Sequence, residues 1–293
     1  MNIIQFLGAL EMGLLYALVT LGVYLTFRAI NFPDLTVDGS FPLGAAVAAA
    51  LLVQGTHPIL ATLAAVAAGA FAGLITGYLH VRLKILGLLA GILTMTALYS
   101  INLRVMGRPN IALLTEPTVF AFFKDAHTVL LTIAAIVVVV VFLLYRFLAS
   151  QFGLALRATG INPRVSPAYG INVSQMTLVG LAISNGLVAL AGALFAQAHG
   201  FADISLGTGT LIIGLASVIV GESLFHKQQL WIALISCVLG SILYRLAIAL
   251  ALNTQITGLQ ASDLNLITSL LVVLAMLAPK IRQKIMISTR RSA

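Results

Sequence analysis

Apolar residues in this chain gather into nine blocks, roughly 6–27, 41–54, 58–79, 86–103, 128–148, 175–198, 208–221, 229–252 and 264–279, with polar stretches between them. About 20 apolar residues cross the hydrocarbon core of a bilayer as a helix. In lipid a helix is favoured because it satisfies its own backbone hydrogen bonds. The pattern predicts an all-α, polytopic membrane helix bundle of about nine transmembrane segments. Two apolar runs, Phe41–Val53 and Leu211–Val220, are too short to span alone. The first follows NFPDLTVDGS (31–40), part of which is expected at membrane depth as the gap of a broken or re-entrant helix. Pro33 withholds a donor there and Gly39 permits an irregular turn. Asp38 or Ser40 is expected to cap the half-helix that follows.

The two interrupted regions resemble each other: FPDLTVDG (32–39) and FADISLGTG (201–209) each follow a long apolar segment and precede a short one. The second long segment is the fifth after the first, so the copies point in opposite directions as an inverted repeat. Paired interrupted helices of this kind mark the substrate path in many transporters. On this reading Asn31, Asp34, Thr36, Asp38, Asp203, Ser205 and Thr208 line or gate the path, with capping of broken helices as their alternative role. The chain reads as a single transmembrane domain, 1–293. It comprises a first half at 1–149, a connection at 150–174, a second half at 175–279 and a basic tail at 280–293.

Composition agrees with this. Only 8% of the 293 residues are charged and 60% are hydrophobic, whereas a soluble domain is about 25% charged. The net charge of +8 reflects basic residues retained on the cytoplasmic side and calls for no nucleic acid. With 150–174 taken as cytoplasmic, twelve of the sixteen Lys and Arg residues lie inside; Arg104, Arg108 and Lys124 lie outside and Arg245 within a span. The N-terminus is then outside and the C-terminus inside, and Tyr145 and Trp231 fall near the inner interface. The opening MNIIQFLGALEMG lacks a basic n-region and a cleavage site, and is expected to be part of the first span. Glu11 and Arg245, at similar depth, are expected to share a salt bridge or polar cluster. Gly69, Gly73 and Gly77, four apart, are expected to bring two helices close. Thr94, Thr96, Ser100 and Asn102 are expected to face protein or a wet path.

No GxxxxGK[ST] phosphate loop, HExxH or GxSxG occurs, the five histidines are scattered, and Cys237 is the single cysteine. No catalytic residue, metal site or cofactor is therefore assigned to this chain. The polar connection SQFGLALRATGINPRVSPAYGINVS (150–174) stands out among the apolar blocks. It reads as a short helix, Gly153–Thr159, broken by Gly160 and Pro163, that offers a docking element to a cytoplasmic partner.

This connection and the helix after it resemble the branched-chain amino acid and ribose permease family of bacterial ATP-binding-cassette importers. The likeness rests on Gly153, Arg157, Ala158, Gly160, Asn162, Gly170, Ile171 and Asn172, followed by Ala191, Gly192 and Leu194. The opening stretch, with Asn31, Phe32 and Gly39, is similar too. Ser166 stands where the family commonly has alanine, and Gly221-Glu222-Ser223 replaces a glycine-rich turn. With FPDLTVDGS, these departures look like a subgroup associated with uptake of tryptophan or other amino acids.

The resemblance implies a permease subunit of the bacterial inner membrane, paired with a second permease subunit as a homodimer. It also implies a dimer of ATPase subunits holding ATP and Mg below, and a solute-binding protein docking from outside. The eight motif residues from Gly153 to Asn172 would then belong to the ATPase-coupling element. An ion-gradient-driven secondary transporter is the alternative, and an intramembrane enzyme acting on lipid is a third class for which no catalytic constellation is present. If 150–174 is cytoplasmic, a cysteine introduced as Ala168→Cys stays unlabelled by a membrane-impermeant thiol reagent in intact cells and reacts after permeabilisation.

Overall fold

The computed structural model describes residues 2–121, 126–224, 229–253 and 273. Helix α1 (Ile3–Tyr24) continues into a π-helical turn, Leu25–Ala29. After an extended stretch come α2 (Val37–Val53), α3 (Pro58–Val81) and α4 (Gly87–Met106). A short strand, β1 (Asn110–Ala112), precedes α5 (Ala126–Ala149), α6 (Gln151–Ile161) and α7 (Val173–His199). Strand β2 (Phe201–Asp203) pairs antiparallel with β1, Ile111 opposite Ala202. A 3-10 turn, Ile204–Gly207, then leads to α8 (Thr210–Leu224) and α9 (Leu230–Asn253).

Among the described residues seven helical stretches are long and apolar enough to cross a membrane, and α2 is a shorter apolar helix. The molecule is thus the all-α membrane bundle that the apolar blocks predict. The block at 264–279 (residue 273 apart), the tail at 280–293, Lys124 and Lys227 lie outside the described residues.

Local chemistry sets the helix ends. Asn2 and Gln5 form a reciprocal capping box on α1. Pro58 takes the first position of α3, where its missing N–H costs nothing. The side-chain oxygens of Ser150 and Asn172 accept from Gly153 N at 3.3 Å and Gln175 N at 3.2 Å, starting α6 and α7.

Between these ends packing depends on small residues, because lipid supplies no hydrophobic drive between helices. A Cβ added at Gly69 would meet Ala189 and the Asn185 carbonyl; at Gly73 it would meet the Leu181 carbonyl, and at Gly77 the Leu178 side chain. The four-residue glycine spacing therefore does bring α3 onto α7. On another side of α7, Gly192 lies against the Phe41 carbonyl and Gly44 against Ala189. Phe41, fully buried, stacks on Tyr16 with centroids 5.5 Å apart and meets Phe195 edge-on at 5.8 Å, joining α1, α2 and α7.

The contacts repeat with exchanged partners. Gly180 faces Ile30 and Gly22 faces Ser184 and Val188, so α1 and α7 run antiparallel. Helix α2 runs alongside α7 in the same direction, Ser40 at Asn185 and Gly44 at Ala189. Helix α8 runs alongside α1 in the same way, Gly214 at Val19 and Val23, and Glu222 at Arg28. As α3 packs on α7, α9 packs on α1, with Ser241 Oγ donating to the Gly13 carbonyl at 2.8 Å. The two halves are thus related as the sequence repeat predicts.

One expected pairing fails. The Arg245 guanidinium lies 3.8 Å above the Tyr16 ring, a cation–π contact, and the ion pair found among the described residues is Arg28–Glu222. Glu11 and Arg245 form no ion pair; Arg245 meets the aromatic ring of Tyr16 on α1 instead. Since the Gly192 Cα touches the Phe41 backbone, Gly192→Val should destabilise the bundle by about 1–3 kcal/mol through overpacking, seen as a lower unfolding temperature in detergent.

Candidate functional site

Asn185 lies fully buried midway along α7. Its Nδ2 donates to Asp34 Oδ2 at 2.7 Å and to the Leu181 carbonyl at 3.0 Å, and its Oδ1 accepts from Ser40 Oγ at 2.7 Å. Asp34 Oδ1 in turn accepts from Thr36 N at 2.9 Å, and the Thr36 and Thr76 hydroxyls are 2.7 Å apart. All five side chains are enclosed. The knot ties the extended stretch before α2 to α3 and α7. Irregular backbone at membrane depth must find its partners inside the protein, and these side chains provide them. Asp34 and Thr36 accordingly hold the break open, enclosed by their partners. Asn31 is exposed just after the π-helical turn, with φ 53°.

The second copy repeats the device nearer the surface. Asp203 Oδ1 accepts from Ser205 N at 2.7 Å, and Oδ2 accepts from Asn110 Nδ2 at 3.1 Å. The Ser205 hydroxyl and N–H, with the Asn110 amide, hold the Asp203 carboxyl below the usual carboxylate range. Asp203 therefore shapes the turn into α8 and joins it to β1.

The two half-helices meet at their N-terminal ends. The Gly207 Cα touches the Asp38 carbonyl, and Asp38 Oδ1 accepts from Leu211 N at 2.7 Å. Asp38 thus caps α8, the other half-helix, and not the helix it opens. Ser40, the other expected cap, is engaged by Asn185. The physical reason is proximity: the first N–H groups of α8 lack intrahelical partners, and the backbone contact at Gly207 brings Asp38 to them.

A cavity of about 420 Å³ opens at this junction, within the size range of small-molecule sites, about 300–1,000 Å³. Asp38 and Pro42 of α2 line it with Ser205 and Thr208 of the turn before α8. Helix α4 adds Met95, Thr96, Tyr99 and Asn102. Three of the seven expected path residues, Asp38, Ser205 and Thr208, are therefore brought together. Of the polar residues expected to face a wet path, Thr96 and Asn102 line the cavity. Thr94 and Thr96 bond back to carbonyls of their own helix.

At the opposite end of α8 lies the connection between α5 and α7. Helix α6 runs through Gly160 to Ile161, and a 3-10 turn follows at Ser166–Tyr169. Gly160 does not break the helix as expected, because it sits where a Cβ would strike the Ala29 carbonyl at the end of α1. The other motif residues also build shape. Gly153 allows the tight α5–α6 corner against Phe147 and Leu148. The Ala158 carbonyl accepts from Asn162 N at 3.0 Å, and Asn162 Oδ1 accepts from Arg164 N and Val165 N at 3.1 and 3.2 Å. Gly170 takes φ 75°, Ile171 N donates to the Ser166 carbonyl and Asn172 caps α7. Arg157 is half-buried, its Nε enclosed and without a hydrogen-bond partner. Ile161 and Tyr169, 86% and 79% exposed, stand on the surface with Asn162, Arg164, Val165 and Gly170.

Residues 5–278 match the family model described as the permease component of the branched-chain amino acid transport system. The chain belongs to this family. It is similar to a tyrosine transport system permease protein of Clostridioides difficile, 38% identical over 95% of this chain and 97% of that protein. It also resembles a probable branched-chain amino acid transport permease of Methanocaldococcus jannaschii, 27% identical over 70% of this chain and 69% of that protein. The ribose import permease protein of Escherichia coli K12 is 25% identical over 64% of this chain and 60% of that one. As a member of the permease family, the chain is a multi-pass membrane component of a transport system. Its motif residues at 153–172 and its interrupted helices are the features through which the family was legible in the sequence.

Asn185 and Thr76 were missed as members of the site. The available signal was an amide, Asn185, midway along an apolar span, which is costly in lipid unless paired. Asn185→Leu strands the Asp34 carboxylate and the Ser40 hydroxyl together, and should cost about 1.5–3 kcal/mol or more. The measurement is thermal unfolding in detergent, with loss of the protein from the membrane as the severe outcome.

Proposed function

We propose that this chain is the membrane-spanning permease subunit of an ATP-driven importer. It carries a small, amino-acid-type solute by alternating access, and a separate ATPase supplies the energy. The observation that carries this reading is the brace between α6 and α1. An exposed knob at Ile161–Tyr169 stands on a helix whose Gly160 touches the Ala29 backbone. A displacement of α6 is thereby passed to the end of α1. From there it reaches α8 through the Arg28–Glu222 ion pair, and α8 begins at the cavity where Asp38 caps it. Motion at the knob and access at the cavity are thus mechanically joined. A cycle favouring one state by a few kcal/mol is enough to shift the population substantially.

The basic residues Arg28, Arg82, Lys84, Arg146, Arg157 and Arg164 cluster at the α6 end, and Arg104 and Arg108 at the other. This bias supports a cytoplasmic α6 in the inner membrane, with the N-terminus outside and the C-terminus inside. ATP and Mg then belong to the ATPase dimer below. The cavity is open along α4, where Tyr99 is 57% exposed, which suits a second permease subunit facing it. An extracytoplasmic binding protein would meet the end that carries β1 and β2. The tyrosine and branched-chain permeases among the relatives favour an amino acid over a sugar.

The test replaces the knob. Ile161→Asp and Tyr169→Asp, which leave the packed glycines untouched, should lower ATP-dependent uptake by the reconstituted transporter at least about tenfold and weaken copurification of the ATPase. Uptake by this chain alone, driven by an ion gradient, would overturn the reading.

A further inference from the structure

Asp38 carries the one charge on the described wall of the cavity. No cation pairs with it: the ion pair formed among the described residues is Arg28–Glu222. A carboxylate has about four acceptor positions. The N–H of Leu211 takes one of them, leaving capacity for a ligand. A second acceptor belongs to another residue of the same wall. Asn102 Nδ2 donates to the Gly39 carbonyl at 3.3 Å. A carbonyl only accepts, so this bond fixes the orientation of the amide. Asn102 Oδ1 is then left enclosed without a hydrogen-bond partner, on a residue that is fully buried. Much of the rest of the wall is apolar: Pro42, Met95, Tyr99 and Ile204.

A carboxylate with no cationic partner on the wall of a largely apolar cavity, with an unsatisfied amide oxygen on another residue of that wall, calls for a cationic hydrogen-bond donor. Partial burial strengthens that attraction relative to water. We propose that Asp38 reads the ammonium group of the solute. The cavity then takes primary amines with an apolar or aromatic body, and rejects analogues of the same shape that lack the amine. This rests on the permease reading and adds the chemical class and the residue that selects it. Because the same carboxylate caps α8, an ammonium that engages Asp38 shares it with the first turn of that helix, so occupancy of the cavity is felt directly by α8.

The experiment measures binding of radiolabelled L-tyrosine to the full-length chain in nanodiscs, with two competitors: tyramine, which keeps the amine, and 3-(4-hydroxyphenyl)propionate, which lacks it. L-Tyrosine and tyramine should bind, with the propionate weaker by about tenfold or more, since a site built to hydrogen-bond a group rejects the analogue without it. Asp38→Asn keeps an oxygen for Leu211 N and removes the charge, and should weaken both amines about tenfold. The competitor series on the unaltered chain stands even if that variant folds poorly. The proposal is overturned if the propionate competes as well as tyramine, if neither amine binds, or if Asp38→Asn binds both amines as the unaltered chain does. Uptake in cells with and without the chain tests the permease reading separately: a chain required for uptake but indifferent to the amine loses only the role given to Asp38.

Discussion

Inside a bilayer an unpaired backbone N–H or C=O has no water to turn to, and every departure from helix must be satisfied by the protein itself. This constraint governs the bundle. The extended stretch before α2 is tolerated because Asp34, Thr36, Ser40, Thr76 and Asn185 close a network around it, with donors and acceptors matched at 2.7–2.9 Å. Its counterpart before α8 is held by Asp203, with Ser205 and Asn110. Each break leaves a half-helix whose N-terminus lies within the bundle, and the two N-termini come together at Asp38. The cavity exists because the breaks do.

The same arrangement gives the molecule a mechanical logic. Glycines at 44, 69, 73 and 192 let α7 touch α2 and α3 backbone to backbone, and close-packed interfaces of this kind shift between discrete arrangements more readily than they deform. The chain of contact from α6 through Ala29, Arg28 and Glu222 to α8 then runs from one face of the bundle to the site at its centre. A π-helical turn at Leu25–Ala29 lies in the middle of that chain. Such turns widen a helix locally and recur at functional positions.

Much of this was legible beforehand. Eight of the nine apolar blocks became helices within a few residues of their expected limits, because the demand for about 20 apolar residues per span is nearly independent of context. The glycine spacing in α3 predicted a close contact, since a stripe of hydrogens leaves room for another backbone. The roles of the motif residues at 153–172 were harder to see. Gly153, Gly160, Asn162, Gly170 and Asn172 were expected to belong to an ATPase-coupling element; within the fold they shape the corner, the brace, the turn and the cap, and Ile161 and Tyr169 stand out from it as exposed apolar side chains. Glycines and asparagines recur at such places for conformational reasons, and a linear pattern does not separate a residue that shapes a surface from one that presents it.

The sequence by itself determined the class of the molecule, the position of its spans, the two interrupted segments and their likeness, since these follow from hydrophobic length and from the local chemistry of Pro, Gly and Asp. Only the tertiary structure decided which carboxylate does what. Asp34, Asp38 and Asp203 sit in similar local sequences, yet one is locked in a buried knot, one caps a distant half-helix beside a cavity and one pins a surface strand. The difference comes from partners contributed by Asn185, Leu211 and Asn110, 151, 173 and 93 residues away along the chain, and the encounters with them are made by the packing of helices rather than by local sequence.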